Sequence, residues 1–334
     1  MTTTMIRTDE LTRHFTVRNE TVEAVRGLDL QVGAGELVAL LGPNGAGKST
    51  TLRMLTTLLP PTSGTAQVAG HDVLTDQRGV RSRIGYIGQG NGAGHSQRGR
   101  DELISHGRAY GMSVATARAR ASELIDSLDL GGVVDRVVSS LSGGQRRRLD
   151  IAMGLIHAPD LLFLDEPSTG LDPQNRANLQ THIRRLRADH GTTIVLTTHY
   201  LDEADQLAER VVVIDHGRII ADDTPARLKE DYAGDRIALA FDHADDAHRI
   251  ASDALGIAAG ARIEQVGAKV VIEVDGGAQL APKLLRALDD AGIPVASIEV
   301  ARPTLDDVFL NLTGRSLRED GTVAVTGEPQ DVPA

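Results

Sequence analysis

A glycine-rich stretch follows a continuous apolar run and reads Gly42-Pro43-Asn44-Gly45-Ala46-Gly47-Lys48-Ser49-Thr50. Its first eight residues fit the pattern G-x-x-x-x-G-K-S/T. The preceding run, Leu37–Leu41, is predicted to be a buried strand, and Thr50–Leu59 is predicted to be a helix. A loop of this pattern between a strand and a helix is the arrangement that binds a nucleotide.

The chemistry of this loop is that of anion binding. Glycines let backbone N–H groups surround a phosphate, and the helix that follows directs the positive end of its dipole towards it. We expect Lys48 to reach the β- and γ-phosphates and the Ser49 hydroxyl to bind Mg²⁺. The alternative, an ordinary glycine-rich turn, does not require the flanking strand and helix.

Further apolar runs predict an α/β fold with a parallel sheet. They lie at Leu161–Leu164, Thr193–Leu196 and Val211–Ile214, and the stretches between them, for instance Pro173–Asp189 and Leu201–Glu209, are helical in pattern. Runs without alternation suit strands that are covered on both faces.

Ionisable side chains follow two of these strands where each strand ends. Asp165 and Glu166 come directly after Leu161–Leu164, and His199 comes shortly after Thr193–Leu196. Because the carboxyl ends of parallel strands form one crevice, we expect all three beside the phosphates. Asp165 suits Mg²⁺ coordination and Glu166 suits a base that polarises water. Taken alone, the acidic pair would favour a strand that simply ends in a solvated loop, but the glycine loop upstream favours a site.

A second candidate anion site reads Leu141-Ser142-Gly143-Gly144-Gln145 and precedes the basic triplet Arg146-Arg147-Arg148. A serine and two glycines at a helix N-terminus can bind an anion by the same dipole effect. One nucleotide does not need two such sites in one chain, so this one points to a partner chain. The alternative is a helix that Ser142 simply caps.

These motifs together resemble the ATP-binding subunits of ABC transporters over roughly residues 5–230. The matching segments are Gly42–Thr50 (Walker A), Leu141–Gln145 (signature), Leu161–Glu166 (Walker B), Ser168–Asp172 (D-loop) and His199 (H-loop). Gln89, at the end of Ile84–Gln89, resembles the Q-loop glutamine. The resemblance implies a P-loop NTPase of the ABC type.

Two subdomains accompany this predicted core. Ile6–Val17 and Thr21–Val32 flank a short polar turn and predict an antiparallel β subdomain. Residues of about 97–157 lack strong strand runs, and Ala115–Leu128 has a helical composition, so this part is predicted to be a helical subdomain.

The resemblance also implies a mechanism. Two copies would close head to tail around two ATP molecules, each held by Lys48 and its loop in one chain and by the signature of the other. Asp172 is the candidate site residue of the D-loop. The remaining roles are adenine stacking by Phe15, Mg²⁺ binding by Ser49, Gln89 and Asp165, water orientation by Glu166, γ-phosphate binding by His199 and partner-ATP contact by Ser142, Gly143, Gly144 and Gln145. Closure and reopening would drive an integral membrane permease, to which Gln89 would also link.

The carboxyl-terminal part predicts a small second domain at residues 235–314. Its pattern from Arg236–Phe241 to Val295–Val300 is β-α-β-β-α-β, which predicts a ferredoxin-like α+β fold. Pro303–Gly314 resembles the end of the daunorubicin/doxorubicin resistance ATPases, which implies export of a drug or other hydrophobic compound. Exporters of lipids, polysaccharides or peptides share much of this pattern. Residues 315–334 are predicted to be a disordered tail.

Composition excludes several other classes of protein. The 334 residues carry a formal net charge of -11, so no nucleic-acid partner is expected. The absence of cysteine excludes disulfides, thiolate zinc sites and a cysteine nucleophile. We see neither a secretory signal nor an apolar run of about 18 residues, and expect a cytoplasmic chain, held at the inner face of the membrane by the permease.

Two points stay open at this stage. A non-transport ABC ATPase of translation or DNA repair is the main alternative, against which the single set of motifs and the missing cysteines argue. The segment Gly88–Leu103 is glycine-rich and polar where the family usually has apolar residues. It is either a surface loop without a special role or an altered contact with the permease.

Overall fold

The computed structural model describes residues 3–90, 92–94, 96–253 and 261–314, except for the side chains of 190 and 251–253. The predicted disordered tail and the last two residues of the predicted helix Ala244–Leu255 lie outside these residues. The chain divides into two compact units, Met1–Thr224 and Pro225–Ala334. In the described ranges, no helix combines the length and the apolar character needed to cross a membrane.

The first unit contains two sheets and seven α-helices among its described residues. Its strands are β1 (Thr4–Val17), β2 (Glu20–Leu28), β3 (Gln31–Gly33), β4 (Leu37–Leu41), β5 (Ser63–Val68), β6 (His71–Asp72), β7 (Ile84–Ile87), β8 (Leu161–Asp165), β9 (Thr193–Thr198), β10 (Arg210–Asp215) and β11 (Arg218–Asp223). Its helices are α1 (Lys48–Leu55), α2 (Gln77–Arg83), α3 (Gly99–Ala109), α4 (Val114–Ser127), α5 (Gly143–Leu155), α6 (Pro173–His190) and α7 (Leu201–Leu207).

The central sheet has the order β11-β10-β4-β9-β8-β7, and all neighbours in it are parallel except β10 and β11. Every residue of β4, β8 and β9 is buried, which explains their unbroken apolar runs. In register, Leu41 lies opposite Thr198, and Asp165 lies opposite Thr197. The three strands therefore end at one edge, as predicted.

The second sheet is antiparallel, with the order β2-β1-β5-β6 and with β3 also paired to β1. The predicted strand Thr21–Val32 is interrupted between β2 and β3. There, the Glu10 N–H donates to Asp29 Oδ1 at 2.6 Å, and the Leu30 N–H donates to Thr8 Oγ1 at 2.8 Å. These side-chain bonds interrupt the regular ladder with β1, so two strands form where the sequence pattern predicts one.

Helices α3, α4 and α5 form the predicted helical subdomain. Ser113 caps α4 by accepting the Thr116 N–H at 3.1 Å. The other end of the subdomain lies close to the central sheet, because a Cβ on Gly85 of β7 would come within 2.3 Å of the Gly154 carbonyl oxygen of α5. Glycine at position 85 therefore lets α5 pack directly on the backbone of β7.

The second unit contains one four-stranded sheet among its described residues. Its elements are α8 (Pro225–Tyr232), β12 (Asp235–Ala240), α9 (Ala244–Asp253), β13 (Arg262–Val266), β14 (Lys269–Val274), α10 (Gly277–Asp290), β15 (Ser297–Ala301) and α11 (Leu305–Thr313). The sheet order is β13-β14-β12-β15, and all neighbours are antiparallel. From β12 to β15 the elements follow the predicted order. The ferredoxin-like assignment stays a prediction.

Helix α11 was not predicted from the sequence as a helix. Thr304 caps it in a reciprocal pair with Asp307, and its Phe309 is fully buried. The Asn311 side chain donates to the Tyr232 carbonyl at 2.9 Å, which ties α11 to α8. Helix α8 accordingly belongs to the second unit, whereas the sequence pattern predicts a first domain that ends at residue 230, within this helix, and a second domain that begins at residue 235.

Candidate nucleotide-binding site

The loop Gly42–Ser49 connects β4 to α1 with a backbone that needs glycine at several positions. Gly45 and Gly47 have φ angles of 81° and 105°, in the left-handed region. A Cβ on Gly42 would lie 2.1 Å from the Ile214 carbonyl oxygen of β10. Among the described residues no side chain caps α1, so the N–H groups of its first turn are left for an anion.

Lys48 is buried in this loop, with 4% of its side chain exposed. Its Nζ donates to the carbonyl oxygens of Gly42 at 2.7 Å and Pro43 at 3.0 Å, and it lies 3.8 Å from Glu166 Oε1. Burial lowers the pKa of Lys48, while the charges of Glu166 and Asp165 act in the opposite direction. The structure thus holds an amino group where the predicted phosphates would be.

Asp165 is fully buried at the end of β8. Its Oδ1 accepts from Ser49 Oγ at 2.8 Å and from Thr197 Oγ1 at 2.7 Å, and Gln89 Nε2 donates to Ser49 Oγ at 3.3 Å. Asp165 Oδ2 has no hydrogen-bond partner among the residues that the structure describes. A buried carboxylate oxygen without a partner is costly, and a cation would satisfy it.

Glu166 adopts an unusual backbone conformation beside Lys48 and His199. Its φ is 45°, which costs roughly 1–3 kcal/mol for a residue other than glycine. The Glu166 N–H donates to Thr197 Oγ1 at 2.9 Å, and its Oε2 lies 3.4 Å from His199 Nδ1. The contact with His199 is the largest cause that lowers the pKa of Glu166, and the charge of Lys48 lowers it further. This carboxylate is therefore ionised at neutral pH.

The signature segment begins α5. Ser142 caps the helix by accepting the Gln145 N–H at 3.4 Å, and Gln145 Oε1 accepts the Ser142 N–H at 3.0 Å. A Cβ on Gly144 would meet the side chain of Asn175 in α6 at 2.5 Å. Within one chain these residues thus form the capped helix that was the alternative interpretation, and their contact with a partner's ATP stays a prediction.

Phe15 and Asp172 lie on two other elements. Phe15 pairs with Val22 of β2, and the Arg13 guanidinium lies 4.7 Å from the centroid of its ring. Strand β2 adjoins the loop, since a Cβ on Gly47 would be 2.5 Å from the Ala24 carbonyl oxygen. Asp172 caps α6 by accepting the Asn175 N–H at 2.9 Å. The predicted roles of Phe15 and Asp172 stay predictions.

Three residues at the site were missed by the sequence analysis. Thr197 bridges the Asp165 side chain and the Glu166 backbone. Glu203 of α7 accepts a short hydrogen bond from Ser168. Arg147 donates to the Asp165 carbonyl at 3.1 Å. Burial raises the pKa of Glu203, which is 1% exposed. Thr197 could have been found from the sequence, because it is a polar residue directly after the apolar run of β9. For Glu203, a charged residue within a predicted helix gave no specific signal.

Comparisons with known proteins agree with this geometry. A family model described as ABC transporter matches residues 25–169, and one described as ATP-binding protein DrrA1-3-like, C-terminal domain, matches residues 224–313. The daunorubicin/doxorubicin resistance ATP-binding protein DrrA of Streptomyces peucetius is 45% identical over 302 residues, which cover 90% of this chain and 90% of that protein.

Solved structures show the same fold over about two thirds of this chain. CbiO1 of Clostridium perfringens, part of an ABC transporter complex, has a TM-score of 0.63 and 25% identity, over 69% of this chain and 92% of that one. A bacterial ABC transporter cassette solved as a dimer has a TM-score of 0.61 and 24% identity, over 66% of this chain and 98% of that one. The predicted P-loop fold is confirmed, and this chain belongs to the ABC transporter ATP-binding proteins.

Proposed function

We propose that this chain binds and hydrolyses ATP between two copies of itself and so drives the export of a drug or other hydrophobic compound through a separate integral membrane permease. The observation that supports this most directly is the meeting of Lys48, Asp165 and Glu166 at one edge of the central sheet. Phosphoryl transfer to water needs a lysine in a glycine loop and two acidic side chains close to it. Here the acids lie at the end of β8.

The loop Gly42–Thr50 would hold the phosphates of ATP. Lys48 now donates to the carbonyl oxygens of Gly42 and Pro43, and it would turn to the β- and γ-phosphates when they enter. The uncapped first turn of α1 would supply backbone N–H groups to the same oxygens. Phe15 of β1 would stack on the adenine ring.

The residues around Asp165 fit a magnesium ion. Asp165 Oδ2 is buried and without a partner in the described part of the chain. Ser49 Oγ donates to the other carboxylate oxygen, Oδ1, and accepts from Gln89 Nε2. Ser49, Gln89 and Asp165 would hold the ion, Asp165 through water. A magnesium ion bound there would neutralise negative charge on the phosphates.

Glu166 would activate the attacking water. Its ionised carboxylate accepts a proton from that water as the water oxygen attacks the γ-phosphorus and the bond to the bridging oxygen breaks. His199, 3.4 Å from Glu166 Oε2, would donate a hydrogen bond to the γ-phosphate. Thr197 keeps the Glu166 backbone in its strained conformation, so the carboxylate needs no rearrangement.

The second half of each site would come from another copy of this chain. Ser142, Gly143, Gly144 and Gln145 would contact the ATP held by the partner, and Asp172 would lie at the interface. We test this with Ser142→Arg, which places a long charged side chain at the amino-terminal end of α5, and with Ser127→Arg at the end of α4 as control. Sedimentation should show ATP-dependent dimers for the control only, whereas dimers of both variants would contradict the proposal.

The proposals for the permease and the cargo depend on the similarity of this chain to known proteins. DrrA of Streptomyces peucetius is a daunorubicin/doxorubicin resistance protein, and its likeness extends over 90% of this chain, including the second unit. We therefore propose a hydrophobic drug as cargo and the cytoplasmic face of the membrane as the location. Gln89 and the glycine-rich segment after it would contact the permease.

Transport is the decisive test. The chain is purified from membranes together with the multi-span protein that accompanies it, and both are placed in inside-out vesicles. We expect ATP-dependent uptake of doxorubicin, measured by its fluorescence, and no uptake with Glu166→Gln. Equal uptake by vesicles with the wild-type chain and by vesicles with Glu166→Gln would refute the proposed coupling of hydrolysis to export.

A further inference from the structure

Arg147 is a buried arginine that joins α5 to two other segments, which follow β7 and β8. Its side chain donates to three backbone carbonyls, Gly88 at 2.7 Å through Nη1, Asp165 at 3.1 Å through Nη2 and Pro167 at 3.0 Å through Nε. Only 8% of the residue is exposed. Gly88 precedes Gln89 in the chain, and Asp165 and Pro167 flank Glu166. One guanidinium therefore fixes the backbone beside two of the predicted site residues.

The neighbouring arginines of the basic triplet donate elsewhere. Arg148 Nη1 donates to the carbonyl oxygens of Leu128 and Asp129, both at 3.0 Å, at the end of α4. Arg146 Nη2 donates to the Ala93 carbonyl at 3.1 Å. Of the three arginines in the basic triplet, Arg147 is therefore the member directed at the carboxyl edge of the central sheet.

Burial of this guanidinium is compensated by its surroundings. Burial lowers the pKa of Arg147, and the charges of Asp150, Asp165 and Glu203 act in the opposite direction. A guanidinium is planar and rigid, so three carbonyls bound to it have a fixed spacing, which the flexible single amino group of lysine cannot impose. The arrangement therefore sets the positions of two segments, at Gly88 and at residues 165–167, as well as stabilising them.

The segment after Gln89 is tied to the same helix. Asp150 Oδ1 accepts the Gly92 N–H at 3.1 Å and the Ala93 N–H at 3.0 Å. Gln89 thus lies between two attachments to α5, Arg147 on one side and Asp150 on the other. The described part of the polar, glycine-rich segment is therefore bound to α5, which argues against a free surface loop.

We propose that Arg147 is a positioning residue that couples the two nucleotide sites of the dimer. It joins Gln89 and Glu166 of one site to α5, whose first residues, Ser142 and Gly143, would contact the ATP of the other site. The inference rests on the head-to-tail dimer of the proposed function. When ATP is engaged at the start of α5, a shift of the helix would move the Gly88, Asp165 and Pro167 carbonyls with it.

Two consequences separate this role from simple stabilisation. ATP affinity should not depend on Arg147, because the contacts of Lys48 with its loop do not involve it. Turnover should depend on it, because Glu166 lies between two of its acceptors. Since each site would sense the other through Arg147, hydrolysis should be cooperative in ATP only while the guanidinium is present.

The experiment compares Arg147→Met with Arg148→Met in the full-length chain. The control removes an arginine one position further along α5 that also donates two carbonyl hydrogen bonds. We measure binding of a fluorescent ATP analogue, the kcat and the Hill coefficient for ATP hydrolysis, and the unfolding temperature. For Arg147→Met we expect a dissociation constant within about twofold of wild type, a kcat at least about tenfold lower and a Hill coefficient of one. Arg148→Met should keep the wild-type Hill coefficient.

Several results would overturn the inference. An unchanged kcat and Hill coefficient in Arg147→Met would do so, as would equal losses in both variants, which would mark Arg147 as merely structural. If Arg147→Met does not fold, Arg147→Lys decides: it keeps the charge but cannot span three carbonyls, and wild-type cooperativity in it would count against the role. If the wild-type chain itself neither binds nor hydrolyses ATP, the proposed function fails instead.

Discussion

Lys48 Nζ lies 3.8 Å from Glu166 Oε1, although 118 positions separate the two residues in the sequence. The glycine loop after β4 carries the lysine, and the end of β8 carries the glutamate. With β9 between them, the two parallel strands end at one edge of the sheet. The contact therefore follows from strand order, and it brings a phosphate-binding cation and a candidate base to one point.

Glu166→Gln should separate ATP binding from hydrolysis. The amide keeps the shape of the side chain but cannot accept a proton from water, so we expect turnover to fall about 100-fold or more. Binding by Lys48 and the loop should persist, so ATP-bound dimers should accumulate. Phosphate release and light scattering measure the two effects. The matched control is Glu209→Gln, which changes an exposed carboxylate paired with Arg187, and a similar loss of turnover in both variants would contradict the assignment.

Lys48→Ala should weaken ATP binding itself. Hydrogen bonds from a charged donor contribute about 1.5–3 kcal/mol, so we expect affinity to fall by roughly 10- to 100-fold. Titration with a fluorescent nucleotide measures the loss. Lys269→Ala, at an exposed position on β14, is the control and should bind normally. Equal affinity of Lys48→Ala and wild type would exclude the loop as the phosphate site.

The pH dependence of turnover tests the contact between His199 and Glu166. The contact with His199 is the largest cause of the lowered pKa of Glu166, and a base with a lowered pKa stays ionised to lower pH. His199→Gln should therefore raise the pKa of Glu166 and move the acid limb of the kcat profile to higher pH. His216→Gln, an exposed control, should leave the limb in place. An unmoved acid limb in His199→Gln would show that the imidazole does not set this pKa.

The positions of many site residues can be predicted from the sequence, because these residues lie where the strands of a parallel sheet end. The unbroken apolar runs of β4, β8 and β9 fix a parallel sheet, and residues just after such strands must share one edge. This reasoning places Ser49 beside Asp165 and Glu166 beside His199 without knowledge of side-chain positions.

The remaining contacts depend on packing that sequence patterns do not encode. Thr197 reaches both acids because β8 and β9 lie in one particular register. Arg147 reaches the Gly88 and Asp165 carbonyls because glycine at position 85 lets α5 approach β7 closely. Its neighbours Arg146 and Arg148 are the same residue type, so composition could not distinguish them.

Phe309→Ala tests whether the second unit depends on α11. Phe309 is fully buried in this helix, and loss of such a side chain costs about 3–5 kcal/mol because a cavity remains. The adjacent Leu310 is 43% exposed, so Leu310→Ala should change stability by no more than about 0.5 kcal/mol. Hydrogen exchange should show earlier opening of β12 and β14 in Phe309→Ala alone, with ATP affinity unchanged in both variants. Equal protection in the two variants would mean that α11 is not needed to hold the second unit together, and a loss of ATP affinity would mean that its effect extends to the nucleotide site.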